Sequence, residues 1–428
     1  MNRKQRAWCF YDWANSVYSL VITSTIFPVY FAATTRQANG SNLVSILGFE
    51  LPSSSLFSYT VSASFLTVAL LSPILSSLAD SSGKRKFFWQ LFCYLGAASC
   101  AGLFFFTEST LGLGLLFFYV ATIGFCGSLV FYNAYLPDLA PANEQDALSA
   151  KGFAYGYVGS VLLQILCFIP LLKPEWVGGV SSGTAARFAF LATGLWWAGF
   201  AQIPFRILPE IKPLTENKRS GFTALRHTFE TVKALPRLST YLLAFFFYNM
   251  GVQTIMYLAT LFGSIELKLA DEKLILTILL LQILAIAGAL LTARLSAKIG
   301  NIPALRLLVC MWIGICVSAY FIQTEYQFYA LASVVGLIMG GIQALSRSTW
   351  ARWLPENEPN HTSFFSLLDF TDKISIVAGT FVFGLVQQVT GSMRLSALAL
   401  AIFFLIGLVI LLRLKSKTGM NISYAQTA

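Results

Sequence analysis

The 428-residue chain is 56% apolar and only 11% charged, with a mean hydropathy of +0.69. Ordinary globular domains carry about a quarter charged residues, so a soluble multidomain protein is excluded. The 37 Phe and 9 Trp suit lipid-facing and interfacial surfaces. The net charge of +10 is scattered in small groups between apolar runs, with no basic stripe among stacking aromatics. It therefore reads as a topology signal rather than a nucleic-acid footprint. All seven cysteines fall inside apolar segments without a CxxC pair, and His227 and His361 are the only imidazoles, so neither a disulfide framework nor a His-rich metal site is expected.

A window of about 20 residues, the length that crosses the hydrocarbon core, predicts twelve spans. They lie near 8–33, 57–79, 87–106, 111–136, 150–173, 186–208, 237–264, 272–295, 303–323, 326–349, 363–388 and 394–413. The first is too long and too polar, with Asp12 and Asn15 inside it, for a cleaved signal peptide. Lys and Arg divide 22 to 6 between the two sides, with Lys373 inside a span. That bias predicts both termini in the cytoplasm. Trp8, Trp89, Trp176, Trp350 and Trp353 fall near span ends, as an aromatic belt would place them.

The expected organisation is an N-terminal six-helix bundle (1–208), a cytoplasmic linker (209–236), a C-terminal six-helix bundle (237–413) and a tail (414–428). In the linker, Phe222, Leu225, Phe229 and Val232 recur at helical spacing opposite Arg226, Glu230 and Lys233. This pattern predicts an amphipathic helix on the inner membrane surface, with protein docking as the alternative. Leu78–Arg85 after span 2 recurs weakly as Leu295–Asn301 after span 8, and Leu136-Pro137 recurs as Leu354-Pro355. Near-equal offsets in equivalent loops predict a duplicated, pseudo-symmetric unit.

Ionisable groups inside a membrane are functional candidates because their burial is costly. Asp12 and Asn15 share a helix face, and either a capping or pairing role or a substrate or proton site is open to them. In span 11, Asp369 and Lys373 are spaced i,i+4 as an intrahelical ion pair, which leaves Asp372 as a lone carboxylate able to carry a proton or hold a substrate amine. Asn249 and Gln253 form an i,i+4 polar pair in span 7. Gly152, Gly156 and Gly159, and Gly336, Gly340 and Gly341, have the small-residue spacing of close helix packing. No GxxxxGK[ST] loop and no HExxH occur, so neither ATP-driven pumping nor an intramembrane protease is expected, and no cofactor is implied.

The 6+6 organisation and the Asp80, Gly83, Lys84, Arg85 loop resemble the major facilitator superfamily, with Ser76 where that motif usually starts with Gly and Ala297 at the acidic position of the second copy. The resemblance implies a conformational latch at Asp80, Gly83, Lys84 and Arg85. Trp8–Ser16, Ile26–Phe31, Tyr132–Asp138, Gly152–Gly159, Gly341–Ser348 and Phe364–Lys373 are similar to the vacuole-effluxer-like (autophagy-related amino-acid effluxer-like) branch. Met250 departs from it, standing where relatives often have an acidic residue. The resemblance implies an all-α polytopic membrane protein in two six-helix bundles, a secondary transporter and not an enzyme. It would be a monomer in a bacterial inner membrane, moving a small solute out by alternating access, with amino acids or related metabolites as substrates and protons as one candidate for coupling. An ion channel, or a non-transporting membrane receptor or enzyme, is the alternative.

Overall fold

A computed structural model describes residues 1–35, 43–46, 49–210, 221–269, 271–355 and 361–414. Arg36, the 211–220 part of the linker and the tail beyond 414 lie outside them. The first helix, α1 (Arg3–Thr34), runs through a stretch of wide turns at Tyr18–Ile26. That stretch ends two residues before Pro28, whose missing N–H disrupts a regular α-helix. A two-stranded antiparallel hairpin, β1 (Leu43–Ile46) and β2 (Phe49–Pro52), interrupts the otherwise helical chain. Then come α2 (Ser53–Ser82), α3 (Arg85–Gly102), α4 (Leu111–Asn133), α5 (Gln145–Leu172) and α6 (Ser182–Ile207).

The linker helix α7 (Gly221–Ala234) leads into the second half: α8 (Pro236–Glu266), α9 (Asp271–Ile299), α10 (Asn301–Phe321), α11 (Glu325–Arg352), α12 (His361–Thr390) and α13 (Met393–Arg413). Eleven of the described helices are long and apolar enough to cross a membrane. At 31 residues, α8 occupies the place of the seventh predicted span; a rise of about 1.5 Å per residue makes it ~46 Å long. Each predicted span thus coincides with one helix, offset by a few residues at its ends.

The two halves meet along two seams, α2 against α12 and α5 against α9. Within the halves, helices approach closely where side chains are missing. On α9, a Cβ at Gly288 would collide with the carbonyl oxygen of Leu337 on α11, and Cβ atoms at Gly336 and Gly340 would come within 2.6 and 2.5 Å of the Leu281 and Ala285 carbonyl oxygens. Backbone-to-backbone packing of this kind replaces the hydrophobic drive that lipid cannot supply.

Two expectations change. Trp8, Trp89 and Trp350 are wholly buried in protein rather than belted at the lipid surface. Trp8, for example, stacks on Tyr132 at 4.5 Å and donates its ring N–H to the Tyr132 carbonyl at 3.0 Å. The linker helix does not simply lie on a membrane surface: α7 packs against α2, α8 and α12, so it touches both halves. Val232 and Thr228 are buried there, while Phe229, on the predicted apolar stripe, stays exposed. Its polar face carries Arg226, which donates to Glu230 at 2.8 Å and holds that carboxyl below the usual range.

The packing at Gly288 gives a stability test. Gly288→Ala should overpack α9 against α11 and cost about 1–3 kcal/mol. Gly314→Ala on α10, where a Cβ meets nothing within 4 Å, should change little. Thermal unfolding of the purified protein in detergent checks both, and equal midpoints would remove the close-contact argument.

Candidate functional site

By alternation of the helices, the start of α1, the turn between α2 and α3, the starts of α5 and α12 and the end of α11 lie on one face, here the terminal face. Gly83, at φ +66°, makes the left-handed turn that ends α2 and lets α3 start two residues later. That turn buries Arg85 against Asp80 at 3.5 Å and Asp138 at 2.8 Å. Across the seam, Asp80 Oδ2 accepts from the backbone N–H and the hydroxyl of Ser363, both at 3.0 Å, so the carboxylate caps the first turn of α12. His361 Nδ1 stands 3.3 Å from Asp138. Lys84, expected in this latch, is exposed and forms no ion pair among the described residues.

Further inside, Arg347 of α11 reaches across to the first half. Its guanidinium donates to Asp12 Oδ2 from both terminal nitrogens at 3.4 Å, to the Ser149 hydroxyl and carbonyl at 2.9 Å each, and to Asn133 at 3.1 Å. Trp8, Phe153 and Tyr132 rings flank it with centroids at 4.8, 4.3 and 5.6 Å. Tyr132 also donates to Asp12 at 2.7 Å. Gly152 makes the room, because a Cβ there would lie 2.5 Å from Asp12 Oδ2 and 3.0 Å from Arg347. Asp12 is therefore the buried partner of Arg347, whereas Asn15 turns aside to donate to Ser128 at 3.4 Å.

A third bridge centres on Asp146 at the start of α5. It accepts from Arg352 at 2.8 Å, Asn301 at 2.8 Å and Ser296 at 3.3 Å, all from the second half. Among the described residues, every ion pair joining the halves lies on the terminal face. On the opposite face the pairs Lys273–Glu325 and Arg394–Glu266 stay within the second half. Among the described residues, charged contacts bridge the two halves on the terminal face.

Behind these contacts, on α12, the remaining candidates converge. Lys373 Nζ is 3.2 Å from Asp369 and 2.8 Å from Asp372. Asp372 is thus not left over, because the sequence neighbour Lys373 folds back onto it. Its other oxygen accepts from Asn249 at 2.7 Å and Gln253 at 3.2 Å, both on α8. Phe65 of the first half lies under Lys373, ring centroid 5.5 Å away. The cluster therefore lies against the seam and is reached from both halves.

A family model described as vacuole effluxer Atg22-like matches residues 1–423. The chain belongs to this family. It is 32% identical to the uncharacterized MFS-type transporter YxiO of Bacillus subtilis, over 99% of this chain and 97% of that protein. It is 22% identical to autophagy-related protein 22 of Pyricularia oryzae, over 90% and 72% of the two chains. Among solved structures it is similar to the human organic anion transporter MFSD10 (TM-score 0.73, 14% identity, 96% and 99% coverage) and to FucP in the outward conformation (TM-score 0.69, 11% identity, 97% and 99% coverage). The fold is the twelve-helix major facilitator fold, and this Atg22-like chain is a multi-pass membrane transporter, not an enzyme.

The duplication explains a bridge that the sequence hid. Asp80 and Ala297 are 217 residues apart, and so are Asp146 and Ser363. The contact between position 80 and the start of α12 thus has its image between position 297 and the start of α5. In the second copy of this Atg22-like protein the carboxylate stands on the other side of the seam, and Ser296 and Asn301, flanking Ala297, donate to it. Arg347 was also missed: it stands among Ser346, Ser348 and Thr349 near a span end, and its partner is 335 residues away.

Two outcomes follow from these bridges. Arg347→Ala leaves Asp12 buried without its cation and should cost about 3–5 kcal/mol; adding Asp12→Asn should recover part of the loss in thermal unfolding. Asp146→Ala should loosen the terminal face, read as faster alkylation of a cysteine introduced beside Asn301. Ala297→Asp in that background should slow it again by returning the carboxylate to its counterpart position. Unchanged labelling in Asp146→Ala would end this bridge's role on the terminal face.

Proposed function

We propose that this transporter exports amino acids or related small metabolites by alternating access, with the terminal face in the cytoplasm of a bacterial inner membrane and export coupled to protons. A single chain carries the whole pathway. The units 1–208 and 237–413 rock about the two seams, and the observation that carries this reading is the confinement of all described cross-half ion pairs to one face, with a polar cluster behind them. The 22 to 6 distribution of basic residues supports the orientation. The family's description as an effluxer supports the direction. Charge of both signs and two amides gather in the α12 cluster against the seam, which supports a zwitterionic substrate class.

Flux of labelled amino acids in vesicles reconstituted with the purified protein tests the reading. Slow, saturable exchange that responds to a pH gradient is expected. Fast, unsaturable leak would point to a channel, and no exchange of any amino acid would remove the substrate class. Asp80→Asn should keep expression and insertion but lower flux about tenfold, equivalent to ~1.4 kcal/mol. Wild-type flux in that variant would end the latch role.

A further inference from the structure

We propose that Asp369 is the residue that carries the proton, while Asp372 is the fixed anionic partner of Lys373. The inference rests on the transport reading above and names the coupling group inside it.

The α12 cluster contains two carboxylates and one ammonium, so with all three ionised it bears one uncompensated negative charge. The two carboxylates are not equally held. Asp372 Oδ1 receives Asn249 and Gln253, and Oδ2 receives Lys373 at 2.8 Å. Both of its oxygens are satisfied as an anion. Asp369 has one contact to Lys373, at 3.2 Å through Oδ1, while Oδ2 is buried with no hydrogen-bond partner among the described residues. A desolvated carboxylate oxygen without a donor is costly as an anion, so the cluster's missing positive charge is best supplied there, as a proton.

The surroundings offer little competition. The described titratable groups that face the cluster are Cys126 of α4 and Tyr257 of α8, in addition to its own Lys373, Asp369 and Asp372. From α2 the facing group is the Phe65 ring, and the α8 amides Asn249 and Gln253 are already committed to Asp372. Neither the thiol nor the phenol brings a positive charge.

The chemistry is one proton taken up and later released: an O–H bond forms on Asp369 from water on one side and breaks to water on the other. When Asp369 is ionised, Lys373 is divided between two carboxylates. When Asp369 is protonated, Lys373 belongs to Asp372 alone and its hold on the neighbouring turn relaxes. Ser363, which Asp80 grips across the seam, lies six residues earlier on the same helix, about 9 Å at 1.5 Å per residue. A change in how α12 is held at Asp369 therefore reaches the gate through one rigid element.

Infrared difference spectroscopy between acid and alkaline buffer, on the full-length protein in lipid without substrate, tests the assignment. A titrating protonated-carboxyl band is expected in wild type, retained in Asp372→Asn and lost in Asp369→Asn. If Asp369→Asn folds poorly, Asp369→Glu should keep the band at a shifted frequency. A band that survives Asp369→Asn, or its absence from wild type, overturns the proposal. Because this readout needs no substrate, it separates the two readings: a titrating Asp369 without saturable flux overturns the transport reading alone. Saturable flux with the same pH response in wild type and Asp369→Asn overturns the coupling role of Asp369.

Discussion

A guanidinium inside a bilayer must bring its counter-charge and hydrogen-bond acceptors with it, or the helix that carries it does not insert at an acceptable cost. Arg347 meets that requirement only by crossing between the halves: Asp12, Ser149 and Asn133 all belong to the first half, and the Arg347 side chain is nearly fully buried. The rest of the terminal face is arranged around this necessity. Gly152 stands where any side chain would displace the pair, and Trp8 and Tyr132 are stacked so that their faces, not their edges, line the cation. Each of those residues would be unremarked core packing if Arg347 were apolar.

The same constraint explains why α12 joins the gate to the interior. Its first turn needs acceptors for free N–H groups, and Asp80 from the other half supplies one. Nearly three turns on, Lys373 needs anions, and two are supplied from its own helix. The helix is therefore tied across the seam at its end, while further in its cation is met by acids of its own helix. From outside its helix the inner cluster meets the α8 amides and the Phe65 ring. A bundle whose halves must separate can afford a tight charge cluster within one half, but only breakable contacts across the seam.

What could be read from the chain and what could not divide along physical lines. The spans were legible because hydropathy over about 20 residues is a local property, and the Asp369–Lys373 pair was legible because i,i+4 geometry is also local. The placement of Asp12 was not, since its partner enters from the tenth span. Asp146 reads as an ordinary first-turn acid of α5, a residue that favours any helix N-terminus; only the fold brings Asn301 and Arg352 to it. The tryptophans near span ends misled for a related reason: position along a helix does not say whether a side chain faces lipid or the neighbouring helix. The docking of α7 shares this cause, because an amphipathic stripe fits a protein groove as well as a membrane surface.

The transposed carboxylate bears on how such a gate can be built at all. The contact between position 80 and the start of α12 and that between position 297 and the start of α5 occupy equivalent places in the two halves, 217 residues apart at each end. What the seam needs at each place is one anion facing donors, and the helix on which the anion stands is immaterial to the electrostatic energy. At the first place the donors are the Ser363 N–H and hydroxyl; at the second they are Ser296, Asn301 and Arg352. Each of these hydrogen bonds ends on a carboxylate, the kind that contributes about 1.5–3 kcal/mol net, so together they tie the terminal face firmly. The buried Arg347–Asp12 pair is of the same kind, a charge held across the seam that needs water or a counter-charge when it is parted. The Asp80 and Asp146 carboxylates are as buried as that pair, with side chains 5% and 7% exposed against 6% for Asp12, so depth sets no order among the bridges.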